Sequence, residues 1–221
     1  MKSGFISVVG RANVGKSTLM SKIIGEKISI ISNKPQTTRD KIQIIYNDEE
    51  SQIIFIDTPG IQTPSNKLQE KLFEFSEESL KESDIITFVV DNSLEIGRLD
   101  NEILEMLKGI HVSKILLINK IDLISQAEFD QIKEKYEAMD IFEEIIGISA
   151  LEDKNIKRYI EAIKSMLDEG PAYYDRDMIT DKTERFIVSE IIREKALNNL
   201  SEEVPHGIAV RIDNFKQRDN K

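Results

Sequence analysis

The chain has no cysteine among its 221 residues, and its apolar runs are short. Without cysteine, a disulfide-stapled fold, a thiol nucleophile and a thiolate metal site are all excluded. The apolar run from Ile85 to Val90 is interrupted by Thr87 and falls well short of the roughly 18 residues that a membrane span needs. We see no signal-peptide pattern before the first apolar segment. The sequence is therefore compatible with a cytoplasmic protein, and we expect it to have no membrane span.

Acidic residues outnumber basic ones by 40 to 30, which gives a formal net charge of −10. Nucleic-acid binding needs clustered Lys and Arg, so this balance argues against non-specific binding by the whole surface. Residues 181–221 hold eight acidic and eight basic side chains, and residues 1–180 hold the other 32 and 22. Turn-forming residues at Gly170–Pro171 accompany this shift. They predict a first domain at 1–170, a linker at 171–180 and part of a second domain at 181–221.

Apolar segments of strand length alternate with segments of helical period up to residue 170. The predicted strands are 5–9, 42–46, 53–56, 85–90, 115–118 and 144–148. The predicted helices begin near Thr18 and cover about 67–83, 100–108, 126–139 and 156–167. The pattern predicts an α/β fold of three layers, with a mostly parallel six-stranded sheet and one antiparallel hairpin at its edge. After the linker we predict a helix at 183–200 and a strand at 208–212.

The segment from Gly10 to Ser17 matches G-x-x-x-x-G-K-[ST], and it lies between a predicted strand and a predicted helix, as a phosphate-binding loop requires. Glycines let the backbone N–H groups wrap phosphates, and the N-terminus of the helix favours anionic charge. Lys16 is predicted to bridge the terminal phosphates and Ser17 to ligate Mg²⁺. The predicted nucleotide contacts in this part of the chain are Gly10, Asn13, Val14, Gly15, Lys16, Ser17 and Thr18.

Base recognition is predicted from Asn119-Lys120-Ile121-Asp122, which follows the fifth predicted strand at the edge where such sheets bind ligands. The Asp122 carboxylate can accept from N1–H and the 2-amino group of guanine, a donor pair that adenine lacks. A mismatched base would leave buried polar groups unpaired, so guanine is favoured. Ser149 and Ala150 follow the last strand, where a backbone N–H can reach the guanine carbonyl.

Two further segments predict the magnesium and γ-phosphate contacts. Asp57-Thr58-Pro59-Gly60 ends a strand, so that Asp57 can hold Mg²⁺ through water and the Gly60 N–H can meet the γ-phosphate. The segment 36–40, Gln-Thr-Thr-Arg-Asp, offers a threonine to complete the Mg²⁺ shell. We prefer Thr38 over Thr37 for that role.

Together these five segments resemble the translation-factor-related GTPases, and 10–17, 36–40 and 57–61 are similar to the Era family within them. Segments 184–188, 191–195 and 205–210 are similar to the opening of that family's C-terminal RNA-binding KH domain. The resemblance implies hydrolysis of GTP to GDP and phosphate, with Mg²⁺ as cofactor. It also implies binding of small-subunit ribosomal RNA, a role in assembling the small ribosomal subunit, a monomer, and peripheral contact with the inner face of the cell membrane. The implied catalytic residues are Lys16, Asn13, Thr38 and Gly60, and the implied metal ligands are Ser17, Thr38 and Asp57.

The chain departs from these relatives in two places. A KH domain clamps RNA in a Gly-x-x-Gly loop, but Gly207 is the only glycine after residue 180. We therefore expect a truncated KH domain, with RNA binding a property of a longer protein. Ile61 stands where Ras-like enzymes carry a water-orienting glutamine. Similarity to relatives that bind K⁺ through a P-loop asparagine makes Asn13 a candidate K⁺ ligand, and Arg39 is a weaker catalytic candidate.

Three functions remain open from the residues alone. One is a GTP-hydrolysing switch coupled to RNA, another is an ATP-using P-loop enzyme such as a small kinase, and the third is a nucleotide-loaded scaffold with negligible turnover. Asp122 argues against the second. Ile61 lowers the expected rate of the first without excluding it.

Overall fold

The computed structural model describes residues 1–25, 42–57, 80, 82–199 and 208–214. The strands are β1 (Lys2–Val9), β2 (Ile42–Asn47), β3 (Ser51–Asp57), β4 (Ile85–Val90), β5 (Ser113–Ile118) and β6 (Glu144–Gly147). They form one sheet in the order β2-β3-β1-β4-β5-β6. β2 is antiparallel to β3, and all other neighbouring pairs are parallel. The predicted mostly parallel six-stranded sheet with an antiparallel edge is confirmed.

The helices whose ends lie within the described residues are α1 (Lys16–Ile24), α2 (Arg98–Lys108), α3 (Gln126–Glu137), α4 (Ile156–Met166) and α5 (Glu184–Asn199), and Ile121–Leu123 form a 3₁₀ turn. The start of α3 shows why these boundaries fall where they do. The Ser125 hydroxyl accepts from the N–H of Glu128, and the Glu128 carboxylate accepts from the N–H of Ser125. This capping box satisfies N–H groups that have no partner within the helix.

Two apolar cores lie on opposite faces of the sheet, because neighbouring strand residues face opposite ways. Val8 belongs to the first core and Val9 to the second. The first core takes Leu19 from α1 and Tyr159 from α4, and the second takes Leu107 from α2. Helices thus cover both faces, which gives the predicted three layers and leaves the strand ends free to carry loops.

The structure changes several predicted boundaries. β1 begins at Lys2, earlier than predicted, because Ser3 and Gly4 continue the ladder with β3 although they are not apolar. The predicted strand at 208–212 is wrong, since the described residues 208–214 form no strand. Alternating Ile208, Val210 and Ile212 fit a half-buried surface, but alternation records side-chain environment and does not by itself fix the backbone as a strand. Most of the predicted helix at 67–83 lies outside the described residues.

The segment that follows α4 is hydrogen-bonded to the sheet. The N–H of Gly170 donates to the carbonyl of Met1 at 2.9 Å, and the N–H of Ile45 in β2 donates to the carbonyl of Ile179 at 3.0 Å. Thr180 forms an antiparallel bridge with Ile44. The last residues of the predicted linker 171–180, from Met178 to Thr180, therefore lie along the outer edge of β2. Phe186 and Ile187 at the start of α5 pack against the first core.

Within the residues that the structure describes, no helix combines the length and the apolar character that crossing a bilayer would require.

Candidate nucleotide-binding site

The loop between β1 and α1 depends on two glycines. Gly10 has φ 152° and Gly15 has φ 103°, a region that other residues rarely adopt. A Cβ atom on Gly10 would lie 2.3 Å from the carbonyl oxygen of Val89, and one on Gly15 would lie 2.2 Å from Nδ2 of Asn119. Both positions therefore require glycine for space as well as for conformation. Asn13, at φ 66°, completes the turn of the loop.

Lys16 opens α1 and is almost fully buried. Its Nζ donates to the carbonyl oxygens of Gly10 at 2.9 Å and Arg11 at 3.1 Å, so the ammonium group lies inside the curve of the loop. Ser17 and Thr18 follow in the first turn of the helix, where backbone N–H groups lack intrahelical acceptors and the helix dipole favours an anion. The loop and the first turn of α1 together provide a phosphate site of the predicted kind.

Asn119, directly after β5, joins the two halves of the site. Its buried side chain donates from Nδ2 to the carbonyl of Val14 at 2.8 Å and accepts at Oδ1 from the N–H of Ala150 at 3.0 Å. One amide thus fixes the phosphate loop relative to the turn after β6. The predicted residues Val14, Asn119 and Ala150 are brought together as the sequence indicated.

Lys120 and Asp122 occupy the loop beside this amide. The Nζ of Lys120 donates to the carbonyl of Asn13 at 2.9 Å, which adds a second tie between this loop and the phosphate loop. Asp122 lies in the 3₁₀ turn and is exposed. The buried hydroxyl of Ser149 accepts from the N–H of Glu152 at 3.1 Å and so shapes the neighbouring turn. The base-recognition residues therefore lie on two adjacent loops at one edge of the sheet.

The magnesium and γ-phosphate residues are only partly described. Asp57 is the last residue of β3, and its backbone lies opposite Val8 of β1, two residues before Gly10. Ser17 lies in the first turn of α1. Ser17 and Asp57 are the residues predicted to hold the ion, and a hydroxyl and a carboxylate are the hard oxygen donors that Mg²⁺ prefers. The predicted residues Thr37, Thr38, Arg39 and Gly60 lie outside the described residues, as does Ile61.

One part of this site was not predicted. Arg11, in the phosphate loop, forms ion pairs with Asp91 after β4 and with Asp100 in α2. The sequence placed Arg11 in a loop position that accepts any residue, and its partners lie far away along the chain. Asp91 directly follows an apolar strand, as Asp57 does, and this pattern could have marked Asp91 as a site residue. It does not show that Arg11 is its partner.

Fold and site together define a P-loop GTPase. The phosphate loop, the Asn-Lys-x-Asp loop and the Ser-Ala turn meet at the carboxyl ends of parallel strands, where sheets of this kind bind nucleotides. A family model described as "50S ribosome-binding GTPase" matches residues 5–120.

Whole-chain comparisons identify the family more closely. The chain is 51% identical over 222 residues to GTPase Era of Clostridioides difficile (strain 630), covering all of this chain and 74% of that protein. It superposes with a TM-score of 0.91, at 40% identity, on a crystal structure of Era in complex with MgGDPNP and nucleotides 1506–1542 of 16S ribosomal RNA. That match covers 99% of this chain and 74% of the other.

A further crystal structure, of an Aquifex aeolicus Era variant bound to GDP·AlF4⁻, superposes with a TM-score of 0.92 at 39% identity. The match covers 99% of this chain and 75% of that one. The chain belongs to the Era family of GTPases and hydrolyses GTP. The ATP-using and non-hydrolysing alternatives are accordingly disfavoured.

Proposed function

We propose that this protein is a GTP-driven switch that assists assembly of the small ribosomal subunit through 16S ribosomal RNA. The observation that carries the proposal is the likeness over 99% of the chain to an Era structure solved with MgGDPNP and a 16S fragment. The "50S" description belongs to a model that matches only residues 5–120, the nucleotide-binding part. It therefore weighs less in the choice of RNA partner.

In this proposal the chain's own residues bind and orient GTP. Lys16 places its ammonium group against the terminal phosphates, and N–H groups of the loop and of α1 surround them. Asp122 accepts from the guanine edge, while Asn119 and Lys120 hold its loop against the phosphate loop. Ser17, Thr38 and Asp57 would hold Mg²⁺, which neutralises phosphate charge when bound. The Gly60 N–H would contact the γ-phosphate.

We also propose that Asn13 binds K⁺ and that this ion stabilises the charge that develops during hydrolysis. Asn13 is exposed in the middle of the phosphate loop, and its backbone carbonyl is already engaged by Lys120, which fixes the residue in place. The Ile61 side chain cannot orient the attacking water by hydrogen bonding, so hydrolysis must depend on another group.

Single-turnover GTP hydrolysis in KCl and in NaCl at equal ionic strength tests this role. We expect the wild type to be faster in KCl by about tenfold. Asn13→Gly keeps the φ of 66° accessible but removes the amide, so the two salts should then give the same slow rate. Asn101→Ala, on the surface of α2, is the control and should retain the difference. Equal wild-type rates in both salts would refute the K⁺ ligand.

RNA binding is proposed for a longer protein of which residues 1–170 form the GTPase domain, 171–180 the linker and 181–221 the first part of a KH domain. The chain spans about three quarters of its Era relatives, and no Gly-x-x-Gly loop follows residue 180. A chimera of residues 1–221 with the remaining C-terminal part of C. difficile Era provides the test. We expect it to bind an RNA corresponding to nucleotides 1506–1542 of 16S ribosomal RNA, whereas residues 1–221 alone bind it weakly.

Fluorescence anisotropy of the labelled RNA measures both affinities, with GTP hydrolysis as the control for a folded chimera. If C. difficile Era binds the RNA and a hydrolytically active chimera does not, the proposed RNA partner is wrong.

We further propose a cytoplasmic monomer with peripheral contact at the inner face of the membrane. Sedimentation and cell fractionation test these two properties, which rest on the family resemblance alone.

A further inference from the structure

The side chain of Arg11 joins the phosphate loop to two other elements. Its Nε lies 2.9 Å and 3.2 Å from the two carboxylate oxygens of Asp100 in α2. Its Nη2 lies 2.6 Å from Oδ1 of Asp91, the residue after β4. The guanidinium therefore bridges the end of a strand and the start of a helix, and we call Arg11, Asp91 and Asp100 the P-loop triad.

Burial makes this contact different from a surface ion pair. The Asp100 side chain is 2% exposed, and those of Asp91 and Arg11 are 16% and 27% exposed. Burial raises the pKa of Asp100 above its ordinary value, and the guanidinium of Arg11 opposes that shift. Asp91 is fixed from the other side as well, because its Oδ1 accepts from the N–H and the hydroxyl of Ser93. Asp91 is therefore held by Ser93 as well as by Arg11.

The backbone of Arg11 connects the triad to the phosphate site. Its carbonyl oxygen accepts from Nζ of Lys16 at 3.1 Å. Gly10, its neighbour, lies so close to the carbonyl of Val89 in β4 that a Cβ atom would not fit. The phosphate loop is thus held against the end of β4 by backbone packing at Gly10 and by charge at Arg11.

We propose that the P-loop triad is a positioning device that sets the geometry of the phosphate loop and thereby limits the rate of GDP release. Arg11 is not a catalytic arginine, since its Nε and Nη2 are committed to carboxylates on β4 and α2. It acts through Lys16 and the loop backbone, whose carbonyls and N–H groups must keep their positions to hold phosphates. Displacement of such groups by even a fraction of an ångström weakens binding strongly.

GDP release measured with a fluorescent GDP and excess unlabelled GTP tests the proposal. In the double variant Arg11→Gln with Asp100→Asn, two amides replace the most buried ion pair, so no unpaired charge remains at position 100. Asp91 loses the guanidinium but keeps its hydrogen bonds from Ser93. We expect GDP to leave this variant about tenfold faster than the wild type. Asp91→Asn, which keeps Arg11 paired with Asp100, should accelerate release less. In the double variant the KM for GTP should rise together with the rate of GDP release. Its kcat should fall by a smaller factor than the factor by which KM rises.

Two controls separate positioning from stability. Arg98→Gln removes an exposed ion pair with Glu102 on the same helix and should leave GDP release unchanged. Ile132→Val opens a small gap in the core and should lower the melting temperature without accelerating release. Wild-type release rates in folded Arg11→Gln/Asp100→Asn and Asp91→Asn proteins would overturn the proposal. If the double variant does not fold, the result for Asp91→Asn decides alone.

Discussion

The buried amide of Asn119 makes one hydrogen bond to Val14 and one to Ala150. We predict that Asn119→Ala lowers the free energy of unfolding by about 2–4 kcal/mol, since it leaves a buried carbonyl and a buried N–H without partners. Nucleotide affinity should fall as well, because the base loop and the phosphate loop lose their common anchor. Urea unfolding and GDP titration measure the two effects.

Gln126→Ala is the matched control for Asn119→Ala. Its amide lies on the surface of α3 and donates to Asp130 at 2.8 Å, so water can replace that bond. We expect little change in stability or in nucleotide affinity. A loss of GDP affinity in Gln126→Ala as large as in Asn119→Ala would contradict the anchoring role.

At the residue scale, sequence patterns predicted the residues of the site's own loops better than the distant residues that hold those loops in place. Gly10, Lys16 and Asn119 were predicted because their spacing follows from what phosphates and a base require. The contacts of Arg11 with Asp91 and Asp100 could not be predicted, because no local pattern records which distant carboxylates a loop arginine will meet. Such pairs are decided by the three-dimensional packing of β4 and α2 around the loop.

At the scale of elements, an ion pair fastens the β2–β3 loop to α4. Nζ of Lys164 lies 2.6 Å from Oδ2 of Asp48, whose Oδ1 accepts from Glu50 and from Ser51. Partial burial disfavours the charged form of Asp48. The hydrogen bonds from Lys164, Ser51 and Glu50 outweigh that effect and lower the pKa of Asp48 from its ordinary 3.8 to about 2. The unfolded chain therefore binds this proton more readily than the folded one.

We predict that Asp48→Asn destabilises the protein at neutral pH and that its difference from the wild type shrinks as the pH falls from about 4 to about 2. Above that range Asp48 is charged in both states and its full contribution is present. Below it Asp48 is protonated in both states and the contribution is lost. Urea unfolding across this range measures the difference, with Glu105→Gln, from the exposed pair with Lys108, as control. A difference that does not change with pH would refute this role.

Element types were predictable here because each strand and helix buries its own face. The mostly apolar segment Ile85–Val90 is predicted and observed with the same ends, since β4 is buried on both sides. Prediction failed where a neighbour decides the structure. Lys2 to Gly4 become strand by pairing with β3, and 208–214 do not become strand despite their alternation. Hydrogen-bonded partners, unlike burial, leave no periodic pattern in the sequence.

At the scale of the whole molecule, the segment predicted as a linker is fixed to the sheet by a buried glutamine. Gln52 of β3 accepts at Oε1 from the N–H groups of Tyr173, at 2.6 Å, and Tyr174, at 2.9 Å. Its Nε2 donates to the carbonyl of Tyr174 and to Oδ1 of Asn47. The side chain of Gln52 is thus fully hydrogen-bonded. The break in periodicity at 171–180 predicted a linker, and polar residues in a strand gave no sign that this segment would be bound to the sheet.

We predict that Gln52→Ala loosens residues 173–181 from the sheet. Tyr173 and Tyr174 lose the acceptor for their N–H groups, so their amide hydrogens should exchange faster by about tenfold or more. Hydrogen exchange read by mass spectrometry on peptides spanning 170–182 measures this change, and trypsin should cleave after Arg176 more readily. Gln126→Ala is again the control. Unchanged exchange in Gln52→Ala would show that β2 contacts such as Ile45 to Ile179 hold the segment without it.

The same variant tests how the first 170 residues are connected to α5. Asp181 and Thr180 are hydrogen-bonded to Gln43 of β2, and α5 begins three residues after Asp181. β2 itself follows directly on residues 26–41, which include Thr38. If Gln52→Ala also raises exchange at the start of α5, the edge of β2 positions that helix. Exchange confined to 173–181 would instead assign its position to the packing of Phe186 and Ile187 on the first core.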